Sequence, residues 1–159
     1  MNRTGYTLSA ALAAALLAAC AAPQTKPAAP EPAPLPTNQK LSSDSLFAFG
    51  ESSLADISDE GRAELDALAA GLNARPFEMV HVIGHSDRIG NDKANVDLSA
   101  RRAAAVRAYL VDKGVPSDKI TAVGRGSVEP VVECDDKERQ ALIACLAPNR
   151  RVEIKIVMP

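Results

Sequence analysis

The pattern of apolar and polar positions divides the chain into three parts. Residues 8–19 form an uncharged run rich in alanine and leucine, with Arg3 before it. Residues 20–40 show neither helical nor strand periodicity, since proline recurs through them. In residues 41–159, apolar positions recur with the spacings of both strands and helices. The pattern therefore predicts a leader at 1–19, a spacer at 20–40 and a folded domain at 41–159.

Four segments of the domain have the pattern of β-strands. Three are short apolar runs, and the fourth alternates strictly between apolar and polar residues. The strands are predicted at 46–49, 78–83, 120–123 and 151–156. Because alternation places the polar side chains on one face, we expect the last strand to be half exposed.

Helical periodicity lies between these strands. Ser58 is a good N-cap for a first helix, whose apolar positions are Leu65, Leu68, Ala69 and Leu72. A second helix follows the polar loop 86–92 and ends before Gly114, and a short third helix is predicted near 137–146. This order predicts an α+β fold in which the helices pack on one face of a small mixed sheet.

Charge and size exclude several classes of protein. The 159 residues carry 18 basic and 20 acidic side chains, for a formal net charge of -2. This balance argues against a nucleic-acid partner and against polybasic attachment to an anionic membrane. The length excludes a multidomain enzyme.

The end of the leader carries a possible modification site. Residues 17–19 are Leu-Ala-Ala, and Cys20 follows them directly. This sequence resembles the lipobox of bacterial lipoproteins, in which the cysteine receives diacylglycerol and becomes the first residue. Since Ala21 is not aspartate, the resemblance implies the outer membrane. The alternative is an ordinary secretory signal with a chance cysteine.

The spacer 20–40 holds six prolines, Pro23, Pro27, Pro30, Pro32, Pro34 and Pro36. Proline lacks an amide donor, so we expect neither a helix nor a strand ladder there. An extended proline-rich spacer of this length reaches roughly 60 Å.

Two cysteines remain in the domain, Cys134 and Cys145. In an oxidising compartment such an even remainder is expected to pair. Two free thiols are the alternative.

Two sequence patterns suggest a metal site or a catalytic serine, but neither is complete. His81 and His85 lie on a predicted strand and its exit, where four extended residues separate the rings by about 13 Å, too far for one metal. Ser86 follows a strand as in a nucleophile elbow, but Arg88 replaces the small residue and no histidine follows His85. We therefore expect no enzyme, no metal and no cofactor.

A set of spaced motifs is more informative. The segment 84–90 is GHSDRIG, and it is followed by Asn95, by Leu-Ser at 98–99 and by Arg-Arg-Ala at 101–103. The tail 149–154 is NRRVEI. This pattern resembles the OmpA-like peptidoglycan-binding domain, whose signature is G-H-T-D-x-x-G followed by N-x-x-L-S-x-x-R-A, with serine here in place of threonine. The resemblance covers essentially all of 41–159 and implies a β-α-β-α-β sandwich.

The resemblance also implies a ligand, the zwitterionic diaminopimelate side chain of the peptidoglycan stem peptide. Asp87 matches the family residue that accepts from its ammonium, and Arg102 the one that grips its carboxylate. Asn95 is expected to add a hydrogen bond, and Arg151 is a weaker candidate. The alternative for Asp87 and Arg102 is an ordinary surface ion pair.

One position departs from the family. Many members carry Asp or Asn where this chain has Gly50, which puts affinity in doubt but not the class of ligand.

Together these features predict an outer-membrane lipoprotein that tethers the membrane to peptidoglycan without catalysis. Two alternatives stay open: a Tol-Pal-type adaptor that binds envelope proteins, and a periplasmic cell-wall hydrolase.

Overall fold

The computed structural model describes residues 34–47 and 50–159, which lie in one compact unit. The predicted leader, Cys20 and most of the predicted spacer lie outside the described residues. The strands of the described part are β1 Asn38–Ser42, β2 Met79–His85, β3 Ile120–Gly124 and β4 Arg151–Val157. Its helices are α1 Ser43–Leu46, α2 Asp59–Ala74, α3 Asp92–Asp112 and α4 Arg139–Cys145.

The strands form one mixed sheet with the order β1-β4-β2-β3. β4 is antiparallel to both of its neighbours, β1 and β2, whereas β2 and β3 are parallel. The predicted α+β fold with a small mixed sheet is confirmed.

The hydrophobic core lies between one face of this sheet and helices α2 and α3. The sheet contributes Val80 and Val82 from β2 and Val152, Ile154 and Ile156 from β4. The helices contribute the buried residues Leu65, Leu68 and Leu72 from α2 and Val106 and Leu110 from α3. Ser58 caps α2 by accepting a hydrogen bond from the Gly61 amide at 2.9 Å, as its sequence predicts.

Two glycines let α3 approach the sheet closely. A Cβ on Gly84 of β2 would overlap the backbone of Ser99, and one on Gly124 of β3 would overlap the backbone of Ala100. This contact fixes α3 against the end of β2, where the predicted site residues begin.

The prediction of a strand at 46–49 is wrong for the part of it that the structure describes. Leu46 ends α1, and Phe47 makes a single isolated bridge to Ile57. Both side chains are buried, so the apolar run signalled the core but not a strand.

The first strand, β1, begins instead at Asn38, inside the predicted spacer. The expectation that no ladder forms in 20–40 is therefore wrong for its last residues. After Pro36 each residue again has an amide to donate, and β1 pairs along β4 from Asn38 to Ser42. Only Leu41 of β1 is buried, so the hydrophobic signal of this strand is weak.

The expectation that β4 is half exposed is confirmed at Lys155 and Val157 but is wrong at the start of the strand. β4 is a central strand, and its polar residues Arg151 and Glu153 are 6% and 7% exposed. Arg151 also donates hydrogen bonds to the carbonyl oxygens of Asn149 and Glu129, which lie in the long connection before β4. That connection therefore covers the second face of β4 only near Arg151.

Cys134 and Cys145 form a disulfide, which joins the last residue of α4 to the same connection. Among the helices of the described residues, none combines the length and the apolar character needed to cross a bilayer.

Candidate functional site

A cavity of about 190 Å³ opens where β2 ends. Its charged lining comes from distant parts of the chain and consists of Asp44, Asp87, Arg102, Arg139 and Arg150. Its other lining residues are Gly50, Ser86, Ile89, Asn95, Leu98 and Ile143. Three of the four residues predicted to bind ligand, Asp87, Asn95 and Arg102, therefore meet in one cavity.

Asp87 is held in place through both carboxylate oxygens. It lies two residues after β2 and is only 9% exposed. Its Oδ1 accepts the Ile89 amide at 2.9 Å, and its Oδ2 accepts Nη1 of Arg150 at 2.8 Å. A carboxylate has about four acceptor positions, so it can still receive an ammonium.

Asn95 acts on the loop that carries Asp87. From the first turns of α3, its Nδ2 donates to the carbonyl oxygens of Asp87 at 3.1 Å and of Ile89 at 3.3 Å. These bonds hold the loop, so Asn95 is a positioning residue as well as part of the lining.

Arg102 lies two turns further along α3 and is 4% exposed. Its Nε donates to the carbonyl oxygen of Glu51 at 3.0 Å, and its guanidinium lies 5.6 Å from the ring centroid of Phe47. Burial lowers the pKa of Arg102 from its ordinary value, although arginine stays charged. A buried guanidinium that is held by a hydrogen bond from Nε has a fixed orientation and can bind a carboxylate.

Arg150 bridges the two carboxylates of the cavity. Its Nη1 donates to Asp87, and its Nε and Nη2 donate to Asp44, with a shortest distance of 2.7 Å. The hydrogen bonds to Asp44, supported by the one to Asp87, raise the pKa of Arg150 above its ordinary value. Arg150 was not among the residues predicted to bind ligand.

Arg151, the fourth predicted ligand residue, is not brought to the cavity. Its Nε donates to Oε1 of Glu153 at 2.8 Å, and both side chains are buried. Arg151 is the first residue of β4 and is buried in this pair, whereas Arg150 precedes the strand and lines the cavity.

Comparison with known proteins identifies the family. The profile of the OmpA family matches residues 46–143. The chain belongs to the OmpA family. It is 48% identical over 132 residues to outer membrane protein A of Yersinia pseudotuberculosis and 50% identical over 121 residues to outer membrane protein A of Escherichia fergusonii. These matches cover 79% and 73% of this chain but 36% and 49% of the relatives, so the chain spans less than half of their length.

Solved structures agree with this assignment. The peptidoglycan-associated lipoprotein of Burkholderia pseudomallei is 28% identical with a TM-score of 0.60, over 74% of this chain and 88% of that one. The cell wall anchor of the T6SS of Pseudomonas aeruginosa is 29% identical with a TM-score of 0.62, over 77% and 81% of the two chains. The resemblance inferred from the motifs is confirmed.

Gly50, which we expected to depart from the family pattern, lines the cavity. Its φ of +80° lies in the left-handed region, which glycine adopts without strain. In the same lining, Asp44 of α1 contributes a carboxylate. No motif singles out Asp44, because the fold alone brings it to the cavity.

Of the other sequence candidates, Ser86 lines this OmpA-family cavity, whereas His81 lies apart from it. Nδ1 of His81 lies 2.8 Å from Thr121 Oγ1 on the sheet. Among the described residues, the acidic and cysteine side chains that cluster at metal-binding distances are Cys134, Cys145 and Asp136, and the first two are joined as a disulfide.

A second cavity of about 340 Å³ adjoins the first and shares Ser86 with it. It is formed by the connection before β4, and its charged lining is Arg88, Glu133 and Asp135. Of the residues predicted to bind ligand, none lines it.

Proposed function

We propose that this protein binds peptidoglycan non-covalently, by holding the zwitterionic head of diaminopimelate in the cavity at the end of β2. The observation that carries the proposal is the presence of Asp87 and Arg102 in the wall of one cavity. An ammonium and a carboxylate on one carbon need an anion and a cation that face the same space. Asp87 accepts from the ammonium, and Arg102 donates to the carboxylate.

Buried partners support this assignment over an ordinary surface ion pair. Asp87 and Arg102 are 9% and 4% exposed, and among the described residues no hydrogen bond joins them to each other. Each is fixed by other groups, so the two charges stay separate and ready for a ligand. Ile89, Leu98 and Ile143 provide apolar contact for the methylene chain behind the zwitterion.

The relatives support the same function. One structural neighbour is a peptidoglycan-associated lipoprotein, and another is a cell wall anchor. We propose in addition that Cys20 carries a lipid and that the spacer links this anchor to the wall-binding domain. The protein then tethers the outer membrane to the cell wall.

The test is cosedimentation of the full chain, solubilised in detergent, with purified sacculi. Asp87→Asn and Arg102→Gln should each reduce the pelleted fraction at least about tenfold, as expected when one partner of a desolvated charge-assisted contact is removed. Arg101→Gln is the matched control: this exposed neighbour on α3 bonds to Ser52 and does not line the cavity. Circular dichroism should be unchanged in all three variants. Normal pelleting of both cavity variants would refute the site.

A pull-down from envelopes treated with muramidase separates wall binding from a Tol-Pal-type adaptor role. Partners that depend on the wall should be lost after digestion, whereas direct protein partners should remain. Released muropeptides from sacculi incubated with the protein would indicate a hydrolase instead.

A further inference from the structure

Arg139 is a charged residue of the cavity that has no role in the proposed binding of the zwitterion. It is the first residue of α4, and Ile143, one turn later on the same helix, also lines the cavity. Among the described residues, its side chain has no hydrogen bond or ion pair to a carboxylate. Its guanidinium is therefore free to meet a ligand.

The charges of the cavity do not balance for a zwitterion. The described lining holds two carboxylates, Asp44 and Asp87, and three guanidiniums, Arg102, Arg139 and Arg150. Arg150 is bonded to both carboxylates, so these three side chains together carry one surplus negative charge. That charge and Arg102 match the ammonium and the carboxylate of a zwitterion, and the charge of Arg139 remains.

We infer that Arg139 binds a second carboxylate of the wall peptide, so that the cavity prefers a ligand with one ammonium and two carboxylates. This inference rests on the proposed function. A neutral zwitterion leaves Arg139 in contact with solvent alone, whereas a second carboxylate gives it an ion-pair partner. The apolar side chains of Ile89, Leu98 and Ile143 lie in the same lining and cover the carbon chain between the charged ends. Arg139 thus makes the protein sensitive to amidation of the wall peptide.

The experiment is isothermal titration calorimetry of the full chain in detergent with three synthetic peptides. The first is N-acetyl-alanyl-γ-glutamyl-diaminopimelate with every carboxylate free, so that the diaminopimelate head carries its single ammonium. In the second the α-carboxylate of glutamate is amidated, and in the third the carboxylate at the peptide's C-terminus is amidated. All three keep the diaminopimelate head with its ammonium and carboxylate.

The wild-type protein should bind the fully acidic peptide about fivefold more tightly than one of the two amides, the size expected for a partly exposed ion pair. The weaker amide identifies which carboxylate Arg139 meets. Arg139→Gln should bind the acidic peptide about fivefold more weakly than wild type and lose the preference. The exposed control Arg101→Gln should keep it. Because Arg139 is exposed, high salt should also diminish the preference.

Two outcomes would overturn the inference and leave the proposed function intact: equal binding of all three peptides by wild type, or an unchanged preference in Arg139→Gln. A different result would overturn the proposed function itself. This is the absence of binding of any peptide to wild type, or undiminished binding to Asp87→Asn.

Discussion

At the scale of single residues, two neighbouring arginines in the tail have different tasks. Arg150 lies between Asp44 and Asp87 at the cavity, and Arg151 pairs with Glu153 inside the fold. The motif NRRVEI predicts a pair of arginines at the start of a strand. It does not indicate which of the two arginines faces the ligand. The tertiary structure decides that they separate, because Arg150 lines the cavity just before β4 and Arg151 is buried at the start of that strand.

Because Arg151 and Glu153 are buried, removing one partner should be costly. Arg151→Met should lower the free energy of unfolding by about 3 kcal/mol, since the Glu153 carboxylate loses its buried partner and keeps only the more exposed Lys40, at 3.7 Å. The double variant Arg151→Met/Glu153→Leu should recover most of this loss. Chemical denaturation measures both, and sacculus binding by the folded protein should persist in each. Loss of binding without loss of stability would instead restore Arg151 as a ligand residue.

The same pair predicts a pH dependence. Burial acts to raise the pKa of Glu153, but the hydrogen bond and the charge of Arg151 outweigh burial and hold this pKa below its ordinary value. The stabilising contribution of Glu153 is therefore complete above the ordinary pKa of glutamate and is lost as the pH falls through the lowered value. In denaturation curves recorded from neutral to acidic pH, wild type should lose stability over this range more steeply than the double variant. Parallel curves would contradict the assignment.

At the scale of elements, the cavity depends on how three helices meet the end of β2. α3 approaches through Gly84 and Gly124 and brings Asn95 and Arg102, whereas α1 brings Asp44. α4 has no buried residue of its own. Glu138 caps this helix, and the Cys134–Cys145 bond and the Ile143 carbonyl, which accepts from Arg150, connect it to the rest of the domain.

The disulfide should consequently stabilise α4 and the connection before β4. Its cysteines are separated by 11 positions, for which loop entropy predicts roughly 2–3 kcal/mol. Reducing agent should lower the melting temperature of wild type to that of Cys134→Ser/Cys145→Ser, and should leave the double variant unchanged. Calorimetry with and without reductant measures both, and an unshifted wild type would show that the bond contributes nothing.

At the scale of the whole molecule, the proposed tether needs both a wall-binding domain and a membrane anchor. The described residues hold the domain, and its first strand begins at Asn38, before the predicted domain boundary at residue 41. The proposed spacer therefore ends before Asn38, which shortens the proposed tether slightly. The proposed order of lipid anchor, spacer and domain stays the same.

Lipid attachment at Cys20 is tested by fractionation. Cys20→Ser should move the protein from the membrane fraction to the soluble fraction or leave it unprocessed, because two or more acyl chains account for stable anchoring. The processed wild-type protein should incorporate labelled fatty acid. Recovery of the variant in membranes in the same amount as wild type would refute lipidation.

Sequence by itself determined the family, the positions of α2, α3, β2, β3 and β4, and the placement of Asp87 and Arg102 in one site. These follow from local periodicity and from motifs whose residues are close along the chain or occupy one strand and the next helix. The tertiary structure alone decided that Asp44 and Arg150 join the cavity, that Arg151 is internal and that β1 forms from the end of the spacer. The physical reason is that strand pairing and packing bring together residues that are far apart in the chain. The local pattern of apolar and polar residues does not depend on those contacts and cannot predict them.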